Sequence, residues 1–553
     1  MNMKTKICAM LVPCCLAAGI ARGETTQHTN ALALVRDGKP VSTIVIGSQA
    51  VKAARFAALE LQDHIRKMTG ATVPVVAGDQ PVEGKRILVG DSAAAKSLGF
   101  SGAELESQEY LIRFLPDALV LVGKDKGDHG DFVYDYQKRK SFSGWPSPYD
   151  DVGTMYAVYD FLRDYCGVKW INPTDHGTFV PEKKTLIVSG QGMQRKPFMH
   201  YRGGSAADPS RYQRNGGFWS DPTDGARKYN ELAFGAVHAA VADPRQRDIV
   251  KQARNLLFIH RMKGGGEKVF CNHSLYEYFD RFWHESSSHF VEKKPAYFAQ
   301  GYDGDVPPQL CYSNPDVIAK VVADVRDYFD KGGYQTAMRG IGVPGYHWGE
   351  NNYALEPMDN SAFCKCEKCA SQYEPGRAAD HSEHSTYWFR FVNAVAKEIK
   401  ESHPDKTLST LAYMTHEGLP TDLVLEDNVA VHFCISANRT PFSPLLEKQL
   451  DRLREWKAKT DNDLYLWLYH TFPKEFADNG KFHCFPGHFA HELKRQFDLF
   501  NTLGVKGVLH CGFNGEVDNY VAYRLMGDPN LGVDTILDEY FSVYGKPGAS
   551  ASA

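Results

Sequence analysis

Apolar and polar residues alternate over 41–46, the period of a half-buried strand. Beyond it, Ala54, Ala58, Leu61, Ile65 and Met68 fall on one face of a helix that starts near Ala50 and is stopped by Gly70. Short strand-like runs follow at 72–76, 86–89, 110–114 and 118–122, with turn residues between them. A second helical stretch, 152–164, ends near Cys166-Gly167. These segments predict an α/β sandwich over residues 26–190. Its polar residues form no cluster in sequence, so its expected role is accessory.

From Phe198 the pattern changes to strand-like segments separated by long helical ones. Strands are expected at 198–202, 269–271, 336–342, 408–413, 429–434, 463–469 and 505–510. Amphipathic helices are expected at 317–329, 387–399 with Ser385 as the N-cap, 445–457 and 489–503. Alternation of this kind builds a parallel sheet. No Gly-x-Gly-x-x-Gly turn follows any strand, so the pattern fits a (β/α)8 TIM-like barrel over 197–546 better than a doubly wound nucleotide fold. A tail at 547–553, rich in small residues, is expected to be disordered. The fold class is therefore α/β, a small sandwich followed by a barrel.

The 553-residue length is more than one core usually organises, in keeping with two domains. Lys4 and Lys6, an apolar run over 7–20 and Ala21-Arg22-Gly23 read as a secretory signal peptide over 1–23, so the protein is expected to be secreted or periplasmic. Pro13 precedes Cys14 and Cys15 where a lipoprotein signal needs a small residue, which argues against lipid anchoring. No later segment has the roughly 20 apolar residues of a membrane span. The formal charge of −4, with 63 basic and 67 acidic residues intermixed, offers no basic stripe for nucleic acid.

Barrel enzymes carry their chemistry on loops past the strand C-termini. The loop 343–352, expected after a strand at 336–342, gathers His347, Trp348, Glu350 and Asn351. Glu350 among aromatic rings is the candidate general acid for glycosidic cleavage, with Glu516 as the second carboxylate. Other strand ends offer His273, Tyr413 with His416 and Glu417, Trp467, Tyr469 and His470, and Asn514, a mixture of rings and polar groups suited to sugars. A uronic acid substrate would need cations, which Arg202, Arg261 and Lys263 could supply. No cofactor is required.

Nine of the twelve cysteines lie beyond the signal, and an odd number cannot all pair within one chain. Cys364, Cys366 and Cys369 form a Cys-x-Cys-x-x-Cys knot. Three thiolates so close could ligate structural zinc with a fourth ligand from His381, His384 or another cysteine. Export would favour a disulfide instead.

Several segments carry a family resemblance. The helix beginning Ala53-Ala-Arg-Phe, with Thr69-Gly-Ala-Thr, resembles the N-terminal domain of hexosaminidase-like and α-glucuronidase-like bacterial enzymes. The stretches 153–162, 167–170, 308–314, 391–396 and 410–413, together with the cysteine knot, resemble a bacterial family of the DUF4838 type, related to glycoside hydrolase family 163 endo-β-N-acetylglucosaminidases acting on complex N-glycans. The resemblance implies a barrel hydrolase with a glycan or polysaccharide as substrate, retaining configuration and using the 2-acetamido group of the sugar. That chemistry places an aspartate beside the acid, whereas His347, Trp348 and Gly349 precede Glu350. The competing readings are a barrel that binds glycan without cleaving it, and a hydrolase of uronic acid-containing polysaccharide.

Overall fold

A computed structural model describes residues 31–544, except 79–81, 83, 136–140, 175–176, 205–243, 334–348, 437–442, 470–488 and 512–515. At 141, 143, 244–252, 516 and 544 it describes the backbone alone. The first unit contains β1 (Leu32–Arg36), β2 (Ser42–Ile46), α1 (Lys52–Thr69), β3 (Val75–Ala77), β4 (Lys85–Val89), β5 (Tyr110–Phe114), β6 (Ala118–Gly123) and α2 (Gly153–Asp164). After them come β7 (Leu186–Val188), which pairs with β1, and β8 (Met193–Arg195). Six strands form one mixed sheet in the order β8-β5-β6-β4-β2-β3, and α1 packs beside α2.

Local sequence explains the close packing. Ala53, Ala54, Ala57 and Ala58 let α1 approach its neighbours, while Phe56, Leu61 and Ile65 fill the core. Full burial of each such large side chain contributes about 1.5–3 kcal/mol. Gly70 ends α1 at φ 76°, its N–H returning to the Arg66 carbonyl. Gly153 begins α2 against the β5–β6 hairpin, where a Cβ would stand 2.6 Å from both the Glu109 carbonyl and the Lys124 nitrogen.

The second unit contains β9 (Tyr201–Gly204), α3 (Pro244–Arg261), β10 (Gly265–Gly266), α4 (Pro315–Asp330), β11 (Asn352–Ala354), α5 (Ser385–Ser402) and β12 (Thr407–Ala412). Next come β13 (Val429–Ile435), α6 (Pro444–Lys459), β14 (Leu464–Tyr469), α7 (Ala490–Leu503), β15 (Gly507–Cys511), α8 (Glu516–Gly527) and α9 (Val533–Tyr544). The sheet order is β10-β9-β15-β14-β13-β12-β11, with the pairs from β9 to β11 all parallel. The first and last of these strands in sequence, β9 and β15, are neighbours. The sheet is a curled half-barrel.

Both faces of this sheet are apolar, as parallel sheets require. Leu464, Leu466 and Leu468 of β14 join the core shared with the helices. On the opposite face, Tyr201, Val269, Ala430 and Tyr465 form one layer, and Cys271, Ala354, Leu411, Cys434 and Trp467 form the next.

Three expectations need correction. Residues 269–271 form no strand: the Phe270 carbonyl accepts from Asn352 Nδ2 at 3.0 Å and Ser409 Oγ at 2.9 Å. The short strand β11, not expected from the sequence, begins at Asn352, the last residue of the expected loop 343–352, and Ser385 is the first helical residue of α5, behind His384 as N-cap. The strand expected at 336–342 lies outside the described residues.

The units are joined through buried ions. Glu60 of α1 is fully buried and accepts from Arg261 Nε at 3.1 Å and from Tyr134 Oη. Burial raises its pKa, but the Arg261 charge outweighs that and holds the carboxyl at about 2. Asp160 of α2 takes Lys263 in the same way.

Candidate functional site

At the C-terminal ends of the parallel strands, the chain leaving β11 runs through Leu355, Glu356, Pro357, Met358 and Asp359. Glu356 is completely buried. Its carboxylate accepts from Thr410 Oγ1 at 2.9 Å and the Leu411 N–H at 2.8 Å, and lies 3.1 Å from His416 Nε2. It thereby ties the end of β11 to that of β12. Ser274 binds the Glu356 backbone, its hydroxyl accepting from the Glu356 N–H at 3.1 Å.

Asp359 reaches solvent, its side chain 57% exposed, and stands 3.3 Å from His273 Nε2. The other ring nitrogen, Nδ1, lies 2.7 Å from the Pro357 carbonyl and donates to it. Burial opposes a charge on His273, but the hydrogen bond to Asp359 and the charges of Glu356 and Asp359 prevail and raise its pKa. The same hydrogen bond lowers that of Asp359. The histidine is held on both ring nitrogens, and the contact favours the charged form of each partner.

Rings line the same end. Tyr413, the residue after β12, stacks with Tyr469 at the end of β14, centroids 6.2 Å apart at 21°. Trp467 lies 6.1 Å from Tyr469, and His273 lies 6.2 Å from Tyr413. Trp467 Nε1 is buried and meets no acceptor among the described residues. The arrangement places the Asp359–His273 pair beside an aromatic wall.

Glu350 is elsewhere. It precedes β11, and β11 runs parallel to β12 with Asn352 opposite Thr407, the first residue of that strand. Glu350 therefore stands at the N-terminal ends of the strands, exposed, in a cleft of about 540 Å³ shared with Gln108, Lys126, Asp150 and Glu267. Asn351 is there too, accepting from Lys406 Nζ at 2.7 Å. These two residues lie ahead of β11, at the end of the sheet opposite the rim, and the strand expected before the loop lies outside the described residues.

Arg202 also departs from expectation. Its neighbour Tyr201 faces the inner layer, so strand alternation sends Arg202 outward. There it is 1% exposed and donates to the Lys263 and Met199 carbonyls and to Tyr156 Oη. Arg261 and Lys263 are bound to Glu60 and Asp160, so all three cations expected for a uronic acid serve the contact between the units. Glu417, likewise buried, is held by Arg452 at 2.7 Å and Gln449 at 2.8 Å. His347, Trp348, His470 and Asn514 lie outside the described residues. Glu516 is the first residue of α8, reached from the C-terminal end of β15, with its backbone alone described.

The sequence profile of the family described as "Domain of unknown function (DUF4838)" matches residues 172–553, well over half of the chain. The chain belongs to the DUF4838 family. Among curated proteins it has no match. Similar solved structures are glycoside hydrolases. A family GH115 4-O-methyl-α-glucuronidase with specificity for decorated arabinogalactans has 12% identity and a TM-score of 0.44, covering 93% of this chain and 60% of that one. The β-N-acetylhexosaminidase of Bacteroides fragilis has 11% identity and a TM-score of 0.34, with 88% and 89% coverage. A family 89 glycoside hydrolase from Clostridium perfringens has 12% identity and a TM-score of 0.36, with 90% and 51% coverage. The DUF4838 chain thus spans about 60% of the first structure and half of the third.

In this DUF4838 protein the fourth partner of the cysteine knot is Cys311, not His381 or His384. The sulfurs of Cys311, Cys364, Cys366 and Cys369 all lie within 4.8 Å of one another. No disulfide links the described cysteines. No helix among the described residues is long and apolar enough to cross a membrane.

Sequence reasoning missed Asp359, Glu356 and Cys311. The first two follow a three-residue strand, too short to show a period, and Cys311 is separated from Cys366 by 55 positions. The available signal was Glu356-Pro-Met-Asp359 directly after the apolar Tyr353-Ala-Leu355.

Proposed function

We propose that this protein is a glycoside hydrolase acting on complex glycans, with its site at the C-terminal ends of the parallel strands. The observation that carries the reading is the Asp359–His273 pair beside the Tyr413–Tyr469–Trp467 wall. Aromatic faces suit the apolar faces of sugar rings. A solvent-reaching carboxylate whose pKa is lowered by its histidine partner suits the anionic partner in glycosidic cleavage.

Asp359 is the anion of this mechanism, stabilising positive charge at the anomeric carbon or orienting a substrate 2-acetamido group. His273 is its positioning residue, and Glu356 holds the two strand ends under both. Glu516, at the head of α8, is the proposed general acid. Glu350 has no catalytic part. The proposal extends to a sheet closed as a (β/α)8 barrel, to export through the signal peptide, and to substrates of the β-N-acetylglucosamine type, consistent with the family 163 resemblance.

A mass-spectrometric product screen tests the reading. Purified protein is incubated with complex N-glycoproteins and with plant and algal polysaccharides. Release of a glycan is the expected result. Thermal stabilisation by a glycan with no product from any substrate would replace hydrolysis with binding.

A further inference from the structure

We propose that Cys311, Cys364, Cys366 and Cys369 bind one zinc ion as a closed tetrathiolate site that braces the Asp359 segment. Zinc–sulfur bonds of about 2.3 Å in a tetrahedron set sulfur–sulfur edges of about 3.8 Å. The Cys311 sulfur lies 3.6 Å from that of Cys369 and 4.0 Å from that of Cys366, on either side of this value. Two disulfides would instead draw the sulfurs into separate pairs at about 2.05 Å. Here all four sulfurs converge on one point.

The surroundings favour thiolates. The Gln300 N–H donates to Cys364 Sγ at 3.3 Å, and Tyr387 Oη donates to Cys369 Sγ at 3.1 Å. Tyr387 is itself fixed, accepting from the Tyr312 N–H at 3.1 Å. Donors aimed at sulfur compensate the negative charge of metal-bound thiolates and orient the ligands; a neutral disulfide has no such need. Cys311, Cys364 and Cys369 are buried and Cys366 partly so, beside the packed rings of Phe363, Tyr373 and Tyr387. With four protein ligands no coordination position is open, so the ion is structural. Binding exchanges up to four thiol protons for one divalent cation and involves no oxidant.

The consequence reaches the rim. Two residues before Cys311, Gln309 donates through Nε2 to the Met358 carbonyl at 2.8 Å and to the Asn360 carbonyl at 3.0 Å. Its Oε1 accepts from the Met358 N–H at 3.1 Å. Gln309 thus clasps the backbone on both sides of Asp359, and the metal fixes the segment that carries Gln309.

Elemental analysis of the full chain, purified without chelator, is the test. One zinc per chain is expected. Cys311→Ser and Cys369→Ser should reduce it to background, and Cys166→Ser should retain it. Because ligand variants can fail to fold, the native protein is also denatured with chelator but no reductant, alkylated and weighed. All four cysteines should be modified. Cobalt in place of zinc should give the intense visible bands of tetrahedral thiolate coordination. Absence of zinc with the four cysteines protected until reduction would overturn the proposal, as would iron in its place or zinc that survives loss of Cys311. None of these readouts depends on glycan cleavage.

Discussion

The two ends of the parallel sheet carry similar residue types but differ in how those groups are used. At the N-terminal ends, Glu350 and Glu267 line a cleft with residues of the first unit, and nearby Arg202, Arg261 and Lys263 are consumed in contacts between units. At the C-terminal ends, Asp359 reaches solvent while its partner His273 is fixed at both ring nitrogens. Chain direction separates them. A loop rich in functional groups becomes a site only if it leaves a strand on the side where the loops converge, and 349–351 enters its strand instead.

The largest effect should come from the rim. Asp359→Asn is expected to lower kcat/KM by about 10²–10⁴-fold, the range for loss of a positioned catalytic group, with little change in melting temperature. Glu60→Gln tests the other end. It leaves Arg261 buried and uncompensated, and should cost about 3–5 kcal/mol of stability by chemical denaturation without altering kcat at saturating substrate.

Acid should act on the buried cluster between the units. The folded pKa of Glu60 is about 2, below its ordinary 4.5. Its contribution of roughly 3 kcal/mol is present above pH 4.5 and lost as pH falls toward 2. His64, buried beside it, is held neutral chiefly by burial, its pKa lowered from 6.5 to about 4. Its burial therefore also reduces stability as pH falls from 6.5 to 4. Thermal denaturation from pH 7 to 3 should show a falling melting temperature, with a shallower fall below pH 4.5 in Glu60→Gln. An equal slope in that variant would contradict the assignment.

A smaller change should follow Tyr469→Ala, which removes one ring of the stacked pair. A loss of about 0.5–1.5 kcal/mol of substrate binding is expected, read mainly in KM. If kcat alone changed, the ring would not serve as a sugar platform.

How much was legible depended on length and period. The strands β12 to β15 are five to seven residues long, and the sequence placed each within about two residues. β11, with three residues, shows no period, so nothing in the sequence shows that Glu350 lies just ahead of a strand. Residues 269–271 look like a strand because Val269 and Cys271 are apolar; they are buried, but side-chain donors occupy the Phe270 carbonyl. Arg202 could have been excluded from the inner face by parity, since Tyr201 and Arg202 cannot share one. The cysteine knot was evident as a local motif, whereas Cys311 joins it only through the chain reversal that bonds Phe298 to Leu310.

The most direct measurement compares kcat/KM for Asp359→Asn and Glu350→Gln on the glycan that the wild-type protein cleaves, with both variants checked for native melting temperature. The account predicts that Glu350→Gln retains wild-type activity and Asp359→Asn loses it. An inactive Glu350→Gln beside an active Asp359→Asn would move the site to the opposite end of the sheet.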